Sequence, residues 1–183
     1  MDNIDIQNWR VNHWDVEDLS NQLRPELDKG KFDSLISWEL GWVLFEPINR
    51  AKDDQQEIEL AKQFSRGQKA LYFFWCLDGQ VTNGGFIQFY WNGYDKYLPA
   101  IKEGLKLIGD NVLIDLIEKV ENEFILNIKD FVKQRKLDDW EPLYDNLTKF
   151  EEYDTIYYEI HDNTMGLIEK YAREYPREFG VVQ

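Results

Sequence analysis

Apolar residues return every three or four positions along most of this chain, the repeat of an amphipathic helix, and no stretch alternates strongly enough to read as a strand. The clearest stripe, Leu113, Leu116, Ile117, Val120, Phe124, Ile128 and Phe131, predicts a helix over about 111–135. A second, over about 147–175, places Tyr153, Ile156, Tyr157, Ile160, Thr164, Leu167, Ile168 and Tyr171 in one sector of the helical wheel. A shorter stripe over 97–108 stops at Gly109, where a left-handed terminal residue is expected. Upstream, Ile58, Ala61, Phe64 and Leu71 predict a helix over about 56–77 that ends at Asp78 and Gly79. Ser34 is placed to cap a helix carrying Leu35, Trp38, Trp42 and Phe45, which Pro47 kinks or ends. Residues 1–32, with Trp9, Trp14, Leu19 and Leu23, read as an irregular arm and a short helix ending before Pro25, and 136–146, with Pro142, as an acidic connection. With no linker and no repeat, the expectation is all-α: one domain over 1–183, a bundle of about six to eight helices with little or no β-sheet.

One segment departs from the rest. Residues 79–94, GQVTNGGFIQFYWNGY, hold no acid or base in a chain that is 31% charged. Within it Asn83 is placed to cap a new helix, Gly84 and Gly85 allow close backbone approach, and Phe86, Phe89 and Tyr90 return toward the core. Gln88 and Asn92 are available for loop carbonyls. The glycines follow neither GxGxxG nor GxxxxGK[ST], which argues against a phosphate cradle. A structural corner is the leading reading, and a neutral aromatic surface for a partner is its alternative.

Composition places these helices in a folded, acidic protein. At 43% hydrophobic residues, with 7 Trp, 10 Tyr and 11 Phe, the chain is too aromatic for a disordered acidic tract. Its net charge of -14 repels nucleic acid and anionic membranes and steers basic surfaces toward it. The first ten residues lack the apolar core of a secretory signal, and no apolar run approaches the ~20 residues needed to span a bilayer. A cytoplasmic protein is expected. Cys76, the single cysteine, lies in the apolar run LYFFWCL and reads as a buried, inert thiol.

The acids are concentrated. From Asp138 to Asp162 nine acids meet one base, Lys149. On the wheel of the last helix Glu151, Glu152, Asp154, Glu159, Asp162 and Glu169 lie opposite the apolar sector, and Asp138, Asp139, Glu141 and Asp145 precede them. Glu151 to Glu169 spans about 27 Å at 1.5 Å per residue, the length of roughly 8 base pairs. These ten carboxylates are therefore candidate phosphate surrogates; a solvated helix face is the plain alternative. His13 and His161 fit no zinc-binding spacing, the acids form no calcium loop, and neither Cys76 nor any serine has a base beside it in sequence. No enzyme activity, metal or cofactor is expected.

The run DGQVTNGGFIQFYWN, followed by YLPAIKEGLKLIG and by the closing helix LYDNLTKFEEYDTIYYEIHDNTMGLIEKYAREYP, resembles the acidic helical family of bacterial DNA-mimic proteins, many of them domains of unknown function. The resemblance covers about 57–178, with Asn83, Gly84, Gly85, Phe86, Gln88 and Phe89 as its motif. It implies a mostly helical fold and occupation of a transcription factor's DNA-binding surface, with no catalytic residues. The expected partner is a basic DNA-binding protein, such as a helix-turn-helix repressor, without direct contact to nucleic acid or membrane; a homodimer stays open. The alternative is an acidic immunity or other interaction domain, acting for example on a basic nuclease toxin.

Overall fold

The structure, a computed structural model, describes residues 13–183; Trp9 and the first part of the proposed arm lie outside them. Among the described residues there are eight α-helices: α1 (Lys29–Ser34), α2 (Ser37–Phe45), α3 (Asp54–Ala61), α4 (Arg66–Trp91), α5 (Leu98–Ile108), α6 (Asn111–Leu137), α7 (Glu141–Asn146) and α8 (Lys149–Glu174). Two-residue strands β1 (Glu26–Leu27) and β2 (Val181–Val182) pair in parallel, Glu26 opposite Val181. The fold is all-α, as the periodicity predicts. At the centre α4 packs on α2, α5, α6 and α8, and α8 also packs on α2 and α6. The α4–α5 contact is close because Gly104 has no side chain: a Cβ there would lie 2.7 Å from the Cα of Ala70.

Several boundaries differ from expectation. The predicted 56–77 helix is two helices, because Ser65 and Gln68 form a reciprocal capping box that starts α4 afresh after Phe64. The same corner ties down both ends of the described chain. The buried Gln68 amide donates to the Leu23 and Phe179 carbonyls, and the Ser65 hydroxyl donates to that of Glu178. Fully buried Lys69 donates to the carbonyls of Trp14 and Val16 at 2.8 and 2.6 Å. The arm before Pro25 is thus a strap with one short 3-10 turn, Leu19–Asn21. Ser34 caps nothing: it is the last residue of α1, and its hydroxyl donates to the Gly30 carbonyl. The connection over 136–146 is shorter than predicted, since α6 continues to Leu137, stops at Asp138 in the left-handed conformation, and α7 follows with Pro142 in its first turn.

The largest correction concerns the neutral segment. α4 passes straight through Asp78 and Gly79 and breaks at Gly84 and Gly85, the latter at φ 72 and ψ -177, a region open essentially to glycine alone. Asn83 does not cap the helix that resumes. The cap comes from Asp154 on α8, whose Oδ1 accepts the Phe86 N–H at 2.8 Å. The carbonyls freed on the other side are met by tyrosines, Tyr144 of α7 donating to Gly84 and Tyr158 of α8 donating to Thr82 at 3.2 Å. Gln88 and Asn92 serve no loop carbonyl; both amides donate to the side chain of Gln80, at 3.1 and 2.8 Å, bracing the two halves of α4 across the break. Beyond it Phe86, Phe89 and Tyr90 are buried, with Tyr90 stacked on Phe124 at 4.0 Å. Arg135 of α6 closes α4 by donating to the Tyr90 and Trp91 carbonyls.

Removing the cap leaves a partly buried N–H unpaired, so Asp154→Ala is expected to cost about 1–3 kcal/mol in chemical denaturation. Burial raises the Asp154 carboxyl from 3.8 to about 6, against the pull of the Phe86 N–H. The folded state then takes up a proton between about 6 and 4 that the unfolded chain does not, so this group's penalty is full above 6 and fades as pH falls. Asp154→Asn keeps an acceptor without the charge; its stability relative to wild type should be highest at pH 7 and decline toward pH 4.5. Gly85→Ala should lose at least about 2 kcal/mol, because it combines a forbidden φ with a Cβ inside the Asp154 carboxylate's place.

Candidate partner-binding surface

α7 and α8 follow one another along the chain, burying Leu143, Phe150, Tyr153 and Tyr157 and turning most of their carboxylates outward. On α8, Phe150, Tyr153, Tyr157, Thr164 and Ile168 are buried, while Ile156 from the same predicted sector is exposed. Asp138, Asp139, Glu141 and Asp145 are exposed around α7, as are Glu151, Glu152, Glu159 and Asp162 on α8. Lys149, the one base within this stretch, does not neutralise them: its ammonium turns to Glu123 of α6 at 2.6 Å and lies 5.8 Å from the centre of the Tyr153 ring. Among the described residues, none of these eight acids forms an ion pair with a lysine or arginine, and Asp162 alone faces a base, the ring of His161 at 3.5 Å.

Two of the ten predicted surrogates are structural. Asp154 is turned in to cap the break in α4. Glu169 accepts the Ser37 N–H at 2.7 Å and so caps α2, where Ile36 offers no side-chain acceptor; it also meets Arg173 at 3.4 Å. Arg173 in turn donates to the Phe32 and Leu35 carbonyls at the end of α1. Asp154 sits at the edge of the polar face and Glu169 in line with Glu151 near its middle, and a wheel cannot tell a solvated carboxylate from one aimed at a neighbouring helix. The free run on α8 is therefore Glu151 to Asp162, about 17 Å or roughly five base pairs, extended by the acids around α7.

Sequence reasoning also missed the aromatic component. Trp140 and Tyr158 are about half exposed, and Tyr144 stands edge-on to Trp140 at 5.1 Å. Their proximity to the acids gives the surface the mixture of aromatic anchors and charge found where proteins bind one another. Periodicity gave them no role, because Trp140 and Tyr144 fall in the predicted connection over 136–146 and Tyr158 lies outside the apolar sector of the last helix.

Behind the surface lies a polar cluster that periodicity does not reveal. The Tyr157 hydroxyl donates to buried Asp78 at 2.8 Å, and the Thr164 hydroxyl donates to buried Asp110. His161 is mostly covered, with Nε2 3.1 Å from the Asp78 carboxylate in a charge contact rather than an aligned hydrogen bond. That carboxylate, and more weakly Asp162, raises the imidazole above its ordinary value against the opposing effect of burial. Asp78 is thus not a helix terminus but an anchor between α4 and α8.

Among the described residues no three His, Cys, Asp or Glu side chains converge as a metal site, and no helix is long and apolar enough to cross a membrane. No curated protein and no solved structure matches the chain. Residues 62–175, from the end of α3 to the end of α8, match the family model described as DMP19-like protein, so the chain belongs to the DMP19-like family.

Proposed function

We propose that this protein is a DNA mimic: its acidic surface occupies the DNA-binding face of a basic protein, with a helix-turn-helix transcription factor as the partner, and excludes DNA from it. The observation that carries this reading is the set of eight exposed carboxylates around α7 and on α8 that, among the described residues, no lysine or arginine pairs with. A protein gains nothing in stability from crowding like charges, which repel along a helix at turn spacing. A basic partner removes that repulsion. Family membership supports the reading, since the resemblance that implies mimicry rests on residues within the matched span. The action is binding, with no catalytic step, cofactor or metal.

The rigid framework behind the acids supports it further. α8 is held to α4 by Asp154, Tyr157, Tyr158 and His161, so the carboxylates are presented on a fixed helix and the partner pays little ordering entropy. Half-exposed Trp140, between Asp139 and Glu141, is the natural aromatic anchor, with the acids setting register and encounter rate.

Captured from cell extract on the immobilised protein, a basic DNA-binding protein should elute with salt. Replacing Glu151, Glu152 and Glu159 with lysine together should weaken its binding by at least about tenfold, leave the melting temperature nearly unchanged and restore DNA binding by the partner. Affinity for the wild-type surface should fall steeply between 50 and about 300 mM salt. If the triple variant bound as tightly as wild type, or affinity ignored salt, the acidic surface would not be the site. Recovery of a basic nuclease inhibited by the same surface would keep the site and replace the transcription factor as target.

A further inference from the structure

The neutral segment does more than turn the chain. Where α3, the first half of α4 and the residues after the break meet, an open cleft of about 580 Å³ enters the fold, within the size range of small-molecule sites. None of the α7 or α8 acids lines it. Its walls are aromatic, built by Phe45, Tyr72, Trp75, Tyr94 and Tyr97, with Trp75 stacked on Phe45 at 5.1 Å. Gly79, Gln80 and Asn92 of the neutral segment form one rim, and the Asn92 amide holds Gln80 at 2.8 Å. The break at Gly85 is what folds 79–80 and 92 onto the same edge.

Among the described residues the charged groups lining the cleft are Asp53, Glu57 and Lys96, two carboxylates to one ammonium. Glu57 is partly buried at the meeting point of two phenols, accepting from Tyr72 at 2.8 Å and from Tyr97. A carboxylate fixed by two hydroxyl donors is oriented and partly desolvated, the state in which attraction to a cation is strongest. Lys96 lies 4.7 Å over the Tyr97 ring, so the cleft already holds one ammonium against an aromatic face. Burial pushes the Cys76 thiol up, so it contributes an uncharged wall. Aromatic faces, an oriented carboxylate and an excess negative charge in a protein of net charge -14 select positive ligands and reject anions.

We infer that this cleft binds a small organic cation, an alkylammonium or alkylguanidinium, with its charge beside Glu57 and its stem against Trp75 and Tyr72. Such a group occurs free in cells and at the tip of lysine or arginine on another protein.

Titration of the full chain with ethylguanidinium, followed by calorimetry and by the indole NMR signals, should show one saturable site that shifts Trp75. Ethylurea, the neutral counterpart of similar shape, should bind at least about tenfold more weakly. Glu57→Gln preserves an acceptor for the two phenols and should weaken the cation about tenfold, while Trp75→Phe should weaken it several-fold through its poorer cation-binding face. Melting curves confirm that both variants are folded. N-acetyl-arginine methylamide binding as well as ethylguanidinium identifies a protein side chain as able to enter; ethylguanidinium alone binding restricts the ligand to free cations. Absence of saturation, equal binding of ethylurea, or unchanged affinity in both folded variants overturns the assignment.

Discussion

One hydrogen bond organises this molecule: the Phe86 N–H donating to the Asp154 carboxylate. An interrupted α-helix frees backbone donors and acceptors; here the Phe86 N–H is the partly buried one, and leaving such a group unpaired costs on the order of 1–3 kcal/mol. The central helix is interrupted at Gly84 and Gly85, and the cost is met from outside, by Asp154 on the resumed side and by Tyr144 and Tyr158 on the other. All three residues belong to the two helices that carry the acidic surface. The break in α4 therefore depends on the placement of α7 and α8, whose side chains meet the backbone groups it frees. Gly85 completes it, because a side chain there would stand where the carboxylate must be.

That coupling explains why the acidic surface does not consist of every acid on the polar face. Asp154 and Glu169 have turned inward to cap α4 and α2, and each is held by a backbone N–H. Structural acids are thus spent on helix termini, where negative charge is favourable, and the remaining eight are left to solvent. Bases are assigned to structural work in the same way. Lys69 secures the N-terminal strap, Arg135 the end of α4, Arg173 the end of α1, and Lys149 a carboxylate of α6. The surface charge is consequently unbalanced by design of the packing and not by composition alone. A chain with the same 35 acids and 21 bases could have paired many more of them.

Much of the fold was legible because burial repeats with the helical period. The stripe from Leu113 to Phe131 and the turn at Gly109, observed at φ 81, follow from spacing and glycine conformation alone. What spacing could not supply were the partners of single polar groups. The cap of the resumed helix lies 68 positions beyond Phe86, so Asn83, adjacent in sequence, looked like the better candidate. Asp78 beside Gly79 has the composition of a helix end, yet Tyr157 and His161 make it a buried anchor in mid-helix. Ser65 was missed because the apolar residues on either side of it, Ala61, Phe64 and Leu71, keep one phase across the cap. The exposed acids were visible as a class, but which of them were free depended on neighbours from distant helices.

The absence of charge from 79–94 now has a physical cause. Val81, Gly85, Phe86, Ile87, Phe89 and Tyr90 are buried around the break, so a lysine or glutamate at any of these six positions would be desolvated without a partner. Amides escape that penalty because they pair with one another, and Gln80, Gln88, Asn83 and Asn92 do so across the break. Neutrality at the buried positions therefore suits a helix folded back on itself, and that folding has two consequences in different parts of the molecule. In one, α7 and α8 are fixed with their carboxylates outward. In the other, Gly79, Gln80 and Asn92 are gathered on the rim of an aromatic cleft also lined by Asp53, Glu57 and Lys96. A substitution that straightened α4 would alter both, whereas changes to the exposed acids or to Glu57 act on one alone, which is why the two surfaces can be separated by mutation although a single backbone break creates them.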